Sequence, residues 1–203
     1  MLHISNLSFA YPHGVVVRDF SAQTAPGLVL VRGGDGRGKT TLARLLAGEL
    51  APDAGHLQLG GVWLHEQPAA YRQQVFWEDQ RSAAHDALTA RDYLRQVKRN
   101  YPAFDEARLD QAIEGLSLAP HLDKNIFMLS TGSKRKLWLA TAAASGAALT
   151  LLDTPFAALD RVSIQFALEL LADAAQSSSR LWVLADYEQP EGMALPVLID
   201  LGD

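Results

Sequence analysis

Apolar residues change their spacing several times along this chain, and each change marks an element. From Leu2 to Val17 they follow a strand-like pattern (Leu2, Ile4, Leu7, Phe9, then Val15 to Val17), broken by YPHG at 11–14. GLVLVR at 27–32 is a short continuous apolar run, the pattern of a strand buried on both faces. A glycine-rich stretch follows, and TTLARLLAGEL then sets Leu42, Leu45, Leu46 and Leu50 on one helical stripe. APDAGHLQLGG is turn chemistry leading into short strands around Leu57 to Leu64. From about Thr89 to Met128 the period becomes helical, with Leu94, Val97 and Tyr101 marking one helix and Leu109, Ile113 and Leu116 a second. Strand-like runs return at 149–152, 181–184 and 197–201, with a helix carrying Ile164, Leu168 and Leu171 between the first two. Strands alternating with helices predict an α/β fold with a mostly parallel sheet and crossover helices.

Composition narrows the class. The chain has 203 residues, 48% of them hydrophobic and 20% charged, which suits one globular domain with a small lobe. A net charge of −5 argues against general nucleic-acid binding, which needs a basic surface. The absence of cysteine excludes disulfides and thiolate metal sites. The N-terminal residues lack the pattern of a signal peptide. The most apolar tract, Leu137 to Leu152, is interrupted by Ser145 and Gly146, so any membrane part is expected on another chain. The six histidines show no metal-ligand spacing, and the four tryptophans (Trp63, Trp77, Trp138, Trp182) sit in apolar runs as expected core.

The glycine-rich stretch GGDGRGKTT at 33–41 satisfies G-x-x-x-x-G-K-[ST] through Gly33, Gly38, Lys39 and Thr40. Glycines let backbone N–H groups close around a phosphate, and a helix starting near Lys39 adds its positive end. Lys39 is expected to reach the β and γ phosphates, and Thr40 to ligate Mg²⁺. The cofactor-binding set therefore spans Gly33, Gly34, Asp35, Gly36, Arg37, Gly38, Lys39, Thr40 and Thr41. The motif by itself leaves kinases, GTPases, motor ATPases and transporters open.

With that loop placed, the chain resembles the ATP-binding cassette (ABC) ATPases over nearly its whole length. LSFAYPHG is similar to the family's adenine-stacking segment, which would make Tyr11 the aromatic platform; the plain alternative is a solvated loop tyrosine. VFWEDQRS puts Gln80 at the Q-loop position, which in the family touches Mg²⁺ and the attacking water; the alternative is a surface glutamine. LSTGSKRKLWLA at 129–140 resembles the LSGGQ signature, so Ser130 and the backbone around Gly132 would face a γ-phosphate held by the opposite subunit. The alternative there is a helix N-cap with a basic first turn. LTLLDTPFAALD matches the strand that holds Mg²⁺ through Asp153 and the D-loop that carries Asp160. The resemblance implies one cassette: residues 1–88 and 129–203 as a P-loop core with an N-terminal antiparallel β part, and 89–128 as a helical subdomain.

Two departures bear on catalysis. Thr154 stands where the family has the glutamate that polarises water, and threonine is no general base at neutral pH. Asp186 falls at the switch-histidine position, where a carboxylate about 4 Å from a phosphate charge costs about 4 kcal/mol at an effective dielectric near 20. Asp35 replaces the usual loop asparagine and adds charge for Arg37 to offset, while Thr131 and Ser133 change the signature. Lys39, Gln80, Asp153, Thr154 and Asp186 are thus the candidate catalytic positions, with Thr40, Gln80 and Asp153 around Mg²⁺. Asp186 and the Glu78–Asp79 pair are candidate substitute bases.

The expectation is an ATP-binding transporter subunit that turns over slowly. Its partners would be a membrane permease on a separate chain and a second cassette, identical or different, at the cytoplasmic face of the membrane. A nucleotide-dependent switch or assembly subunit with little turnover is the other reading; a DNA-repair or translation-type protein is disfavoured, because a long coiled-coil insert and a second cassette are both missing. The chain ends soon after Asp160, leaving little room for a regulatory domain, and this compactness is similar to that of short export-type cassettes. Arg91, Arg95, Lys98 and Arg99 line one helical face, read as solvated.

Overall fold

The computed structural model describes residues 1–190 and 197–202, and the chain divides into two compact units. The first takes Met1–Trp77, Ala148–Thr154 and Ala172–Asp203; the second takes Glu78–Ala147 and Pro155–Leu171.

In the first unit the alternating N-terminal pattern becomes a hairpin of β1 (Leu2–Tyr11) and β2 (Gly14–Thr24), closed at Tyr11 and Gly14. The buried run forms β3 (Gly27–Arg32), and helix α1 (Lys39–Leu46) follows the glycine-rich loop. Next come β4 (Ala54–Leu59), β5 (Val62–Trp63), α2 (Pro68–Arg72), β6 (Val75–Phe76), β7 (Leu149–Asp153), β8 (Leu181–Asp186) and β9 (Val197–Asp200). The strands make an antiparallel sheet in the order β2-β1-β4-β5 and a parallel sheet in the order β6-β7-β8-β3-β9. This is the α/β architecture the alternation predicts. Leu42, Leu45 and Leu46 of α1 join Leu2, Leu7, Leu57, Val29, Leu151 and Val183 in one core drawn from both sheets. Burial of such side chains contributes about 1.5–3 kcal/mol each. The helix stops earlier than the leucine stripe suggests: Gly48 (φ 71°) lies just beyond it with its N–H on the Leu45 carbonyl, so Leu50 lies outside.

The second unit contains α3 (Ala90–Asn100), α4 (Glu106–Gly115), α5 (Thr131–Ala144) and most of α6 (Arg161–Ala175), with 3₁₀ turns at Ala119–His121 and Ile126–Met128. Thr89 and Asp105 cap α3 and α4 by accepting from the N–H of Asp92 and Arg108. Tyr93, Leu94 and Val97 are buried, and the Tyr93 ring packs 5.1 Å from that of Trp138 on α5. Three cations of the basic α3 face are paired rather than merely solvated: Arg91 with Asp123, Arg95 with Asp92 and Lys98 with Glu106. Trp138 and Trp182 are core as expected, whereas Trp63 is half-exposed and packs edge-on against His56 and His65.

Candidate nucleotide-binding site

Three neighbouring strand ends build the first unit's site. Parallel β7, β8 and β3 lie side by side, with Arg32 in register with Asp186 and Asp153 in register with Ala185. Their carboxyl ends therefore present Asp153, Asp186 and the start of the glycine-rich loop together, the edge at which open α/β sheets bind ligands. Two glycines there adopt left-handed backbone: Gly36 at φ 72° and Gly38, the N-cap of α1, at φ 91°. A Cβ on Gly38 would also meet Val16 Cγ1 at 2.5 Å, which seats the loop against β2. The first turn of α1 carries no acidic residue, so its positive end faces the loop uncompensated by a side chain.

Lys39 lies inside this loop. Its side chain is buried, and Nζ donates to the Gly33 carbonyl at 2.6 Å and the Gly34 carbonyl at 2.8 Å. Thr40 Oγ1 donates to Asp153 Oδ2 at 2.5 Å, which brings two hard oxygens from the first turn of α1 and the end of β7 together. Magnesium prefers such ligands, one or two from protein and the rest from phosphate and water, so this donor set fits the ion. Thr41 is buried behind them, and Arg37 is exposed.

Arg37 is not what meets Asp35. The Tyr187 hydroxyl donates to Asp35 Oδ1 at 2.6 Å, and the Tyr187 ring centroid lies 4.0 Å from Lys39 Nζ. Hydrogen bonding to Asp35, then the charges of Asp35, Asp153 and Asp186, holds the phenol above its ordinary pKa and keeps it a donor. Sequence reasoning missed Tyr187; an aromatic residue straight after a strand-end aspartate was the available signal. Asp186 accepts from the Tyr187 backbone N–H at 2.8 Å.

Thr154 sits just past β7 with φ 44°, its N–H on the Ala185 carbonyl at 2.8 Å. A β-branched residue in left-handed backbone is an outlier, and this one occupies the expected glutamate position. Tyr11 ends β1, its ring stacked on His13 (5.6 Å, 2° between planes) and edged by Phe9 (4.9 Å).

Gln80, Ser130 and Gly132 belong to the second unit. Gln80 is half-buried in a turn organised by Asp79, which accepts from the N–H of Arg81 and of Ser82. Glu78, named as a possible base, is engaged structurally: it accepts from Tyr93 Oη at 2.5 Å and lies 3.8 Å from His85. Burial first, then Glu78, pushes the Tyr93 phenol well up. Ser130 caps α5 by accepting from Ser133 N–H at 3.2 Å, and Lys134 and Lys136 of the basic first turns pair with Asp86 and Asp160. A Cβ on Gly132 would meet the Ala158 carbonyl at 2.4 Å, so a glycine in the first turn of α5 permits close packing of that helix against the loop at Ala158. Ala158 is itself left-handed at φ 60°.

This geometry agrees with the comparisons. The family described as ABC transporter matches residues 18–157. The chain belongs to the ABC transporter family. An ABC relative, the cytochrome c biogenesis ATP-binding export protein CcmA of Pseudomonas savastanoi pv. phaseolicola, is 36% identical over 137 residues, covering 68% of this chain. The match spans 64% of that relative's length, just under two thirds. The taurine import ATP-binding protein TauB of Pseudomonas entomophila is 30% identical over 198 residues, covering 96% of this chain and 76% of its own. Among solved ABC structures, a putative ABC transporter ATP-binding protein from Pyrococcus furiosus superposes with a TM-score of 0.79 at 23% identity, over 98% of this chain and 96% of that one. Family membership makes the chain an ATP-binding protein of the ABC type.

Proposed function

We propose that this chain is the ATP-binding subunit of a transporter, taking Mg-ATP at the phosphate loop, closing on a second cassette and working a membrane permease carried by a separate chain. The observation that supports this most is Lys39 held within its glycine loop beside the Thr40–Asp153 pair. Lys39 would release the Gly33 and Gly34 carbonyls and bind the β and γ phosphates, while the α1 N-terminus and loop amides orient them. Thr40 and Asp153 would hold magnesium, which neutralises phosphate charge when bound. Tyr11 would stack the base, and Ser130 and Gly132 would face the phosphate of the paired cassette. None of the described helices is long and apolar enough to cross a membrane, in keeping with a peripheral subunit recruited to the cytoplasmic face by its permease.

Turnover is slow in this proposal. Thr154 offers no carboxylate to orient water, Asp186 opposes phosphate charge, and Glu78 is committed to Tyr93. General bases typically contribute about 10²- to 10⁴-fold, and positioning by Lys39 and the metal supplies the remaining catalysis. Isothermal titration with ATP is the test. Binding is expected to require Mg²⁺ for full affinity and to weaken at least about tenfold in Lys39→Ala, a loss of about 1.4 kcal/mol. Equal affinity in Lys39→Ala would reject the site. Thr154 also favours a second reading, a switch that closes on ATP and rarely hydrolyses it; turnover that stays low with an intact second cassette and permease present would select it.

A further inference from the structure

Tyr187 reaches both sides of the phosphate loop at once. Its hydroxyl donates to Asp35 Oδ1 at 2.6 Å on the crest of the loop, and its ring lies 4.0 Å from the Lys39 ammonium at the base. Those are the groups a polyphosphate meets first: the cation that binds it and the carboxylate that repels it. Lys39 is already served by two carbonyls, so the ring completes its set of partners without leaving room at the amine. The ring itself is half-exposed (48%) and follows the last residue of β8, so it can swing away at little packing cost. A phosphate brings full negative charge to the ammonium and so outcompetes the face of a ring on an exposed residue. Asp35 and Tyr187 are also complementary, since a carboxylate in a phosphate loop is tolerable when a phenol donates to it.

We propose that Tyr187 is a gate on the phosphate site, holding Lys39 and Asp35 until a nucleotide with at least two phosphates displaces its ring. This rests on the nucleotide-site reading above. It makes the chain discriminate by phosphate number, because a nucleoside monophosphate does not reach Lys39 and leaves the gate shut.

The test titrates AMP, ADP and ATP into wild type, Tyr187→Ala and Lys39→Ala. The gate predicts that Tyr187→Ala binds ADP and ATP about 2- to 5-fold more tightly, as expected for removing one weak competing cation–π contact, with AMP unchanged. Equal or weaker ADP binding in Tyr187→Ala overturns the gate. Lys39→Ala separates the two levels: if it binds ADP like wild type, the nucleotide site itself is wrong, whatever Tyr187 does. A second readout needs no substitution at the loop. In intact protein carrying 3-fluorotyrosine, the ¹⁹F resonance assigned to position 187 (by its loss in Tyr187→Phe) should shift with ADP and stay fixed with AMP. A resonance indifferent to ADP contradicts the proposal.

Discussion

Thr154 combines two oddities at one position. It lacks the carboxylate that the sequence resemblance leads one to expect there, and it holds a left-handed backbone (φ 44°) that a β-branched residue adopts only under constraint. Strain of this kind costs on the order of 1–3 kcal/mol. Asparagine adopts the conformation readily, so Thr154→Asn should stabilise the fold by about 1 kcal/mol, read as a raised midpoint in urea. An unchanged or lowered midpoint would mean that threonine's own contacts outweigh the strain. The neighbouring Lys39 shows the opposite logic: a buried cation satisfied by loop carbonyls, stable before any phosphate arrives.

Among the elements, the segment from α5 through the following loop into α6 depends on caps and close approaches. Asp160 caps α6, accepting from Ser163 N–H at 2.9 Å, and pairs with Lys136 at 2.6 Å. Asp160→Ala should cost about 1 kcal/mol, the usual loss for a cap. The Lys136 ammonium first, and then the Ser163 N–H, hold the Asp160 carboxyl well below the usual range. A lowered pKa gives stability above the unfolded value near ~3.9 and loses it as pH falls through the folded one. The difference between wild type and Asp160→Ala should therefore be constant near neutrality and shrink below about pH 4; a difference that persists at acid pH would assign it to packing instead. Elements of this kind are partly legible in sequence. The buried strands and the α1 stripe stand out because apolar spacing records which face is covered. Helix α2 does not, since five residues starting at Pro68 carry no period, and the end of α1 depends on Gly48's backbone rather than on leucine spacing. The phosphate loop was legible because its glycines and lysine are contiguous. Tyr187 was not, because its partner Asp35 lies 152 residues away in sequence and no local pattern encodes the meeting.

For the whole molecule, family membership and the strand-end site give a cassette that binds ATP, and the proposal that it spends ATP slowly rests on Thr154, Asp186 and Glu78. Slow turnover would let nucleotide-bound, paired cassettes persist, so work at the permease would be timed by closure or by a catalytically intact partner. The decisive measurement is steady-state ATP hydrolysis by the purified chain at high concentration, alongside Thr154→Glu, with Lys39→Ala as the blank. Wild type is predicted to run close to the blank while still binding ATP, and Thr154→Glu to exceed it by about 10²-fold or more. Wild-type turnover far above the blank and unaltered in Thr154→Glu would contradict this, and would mean that another group already activates the water.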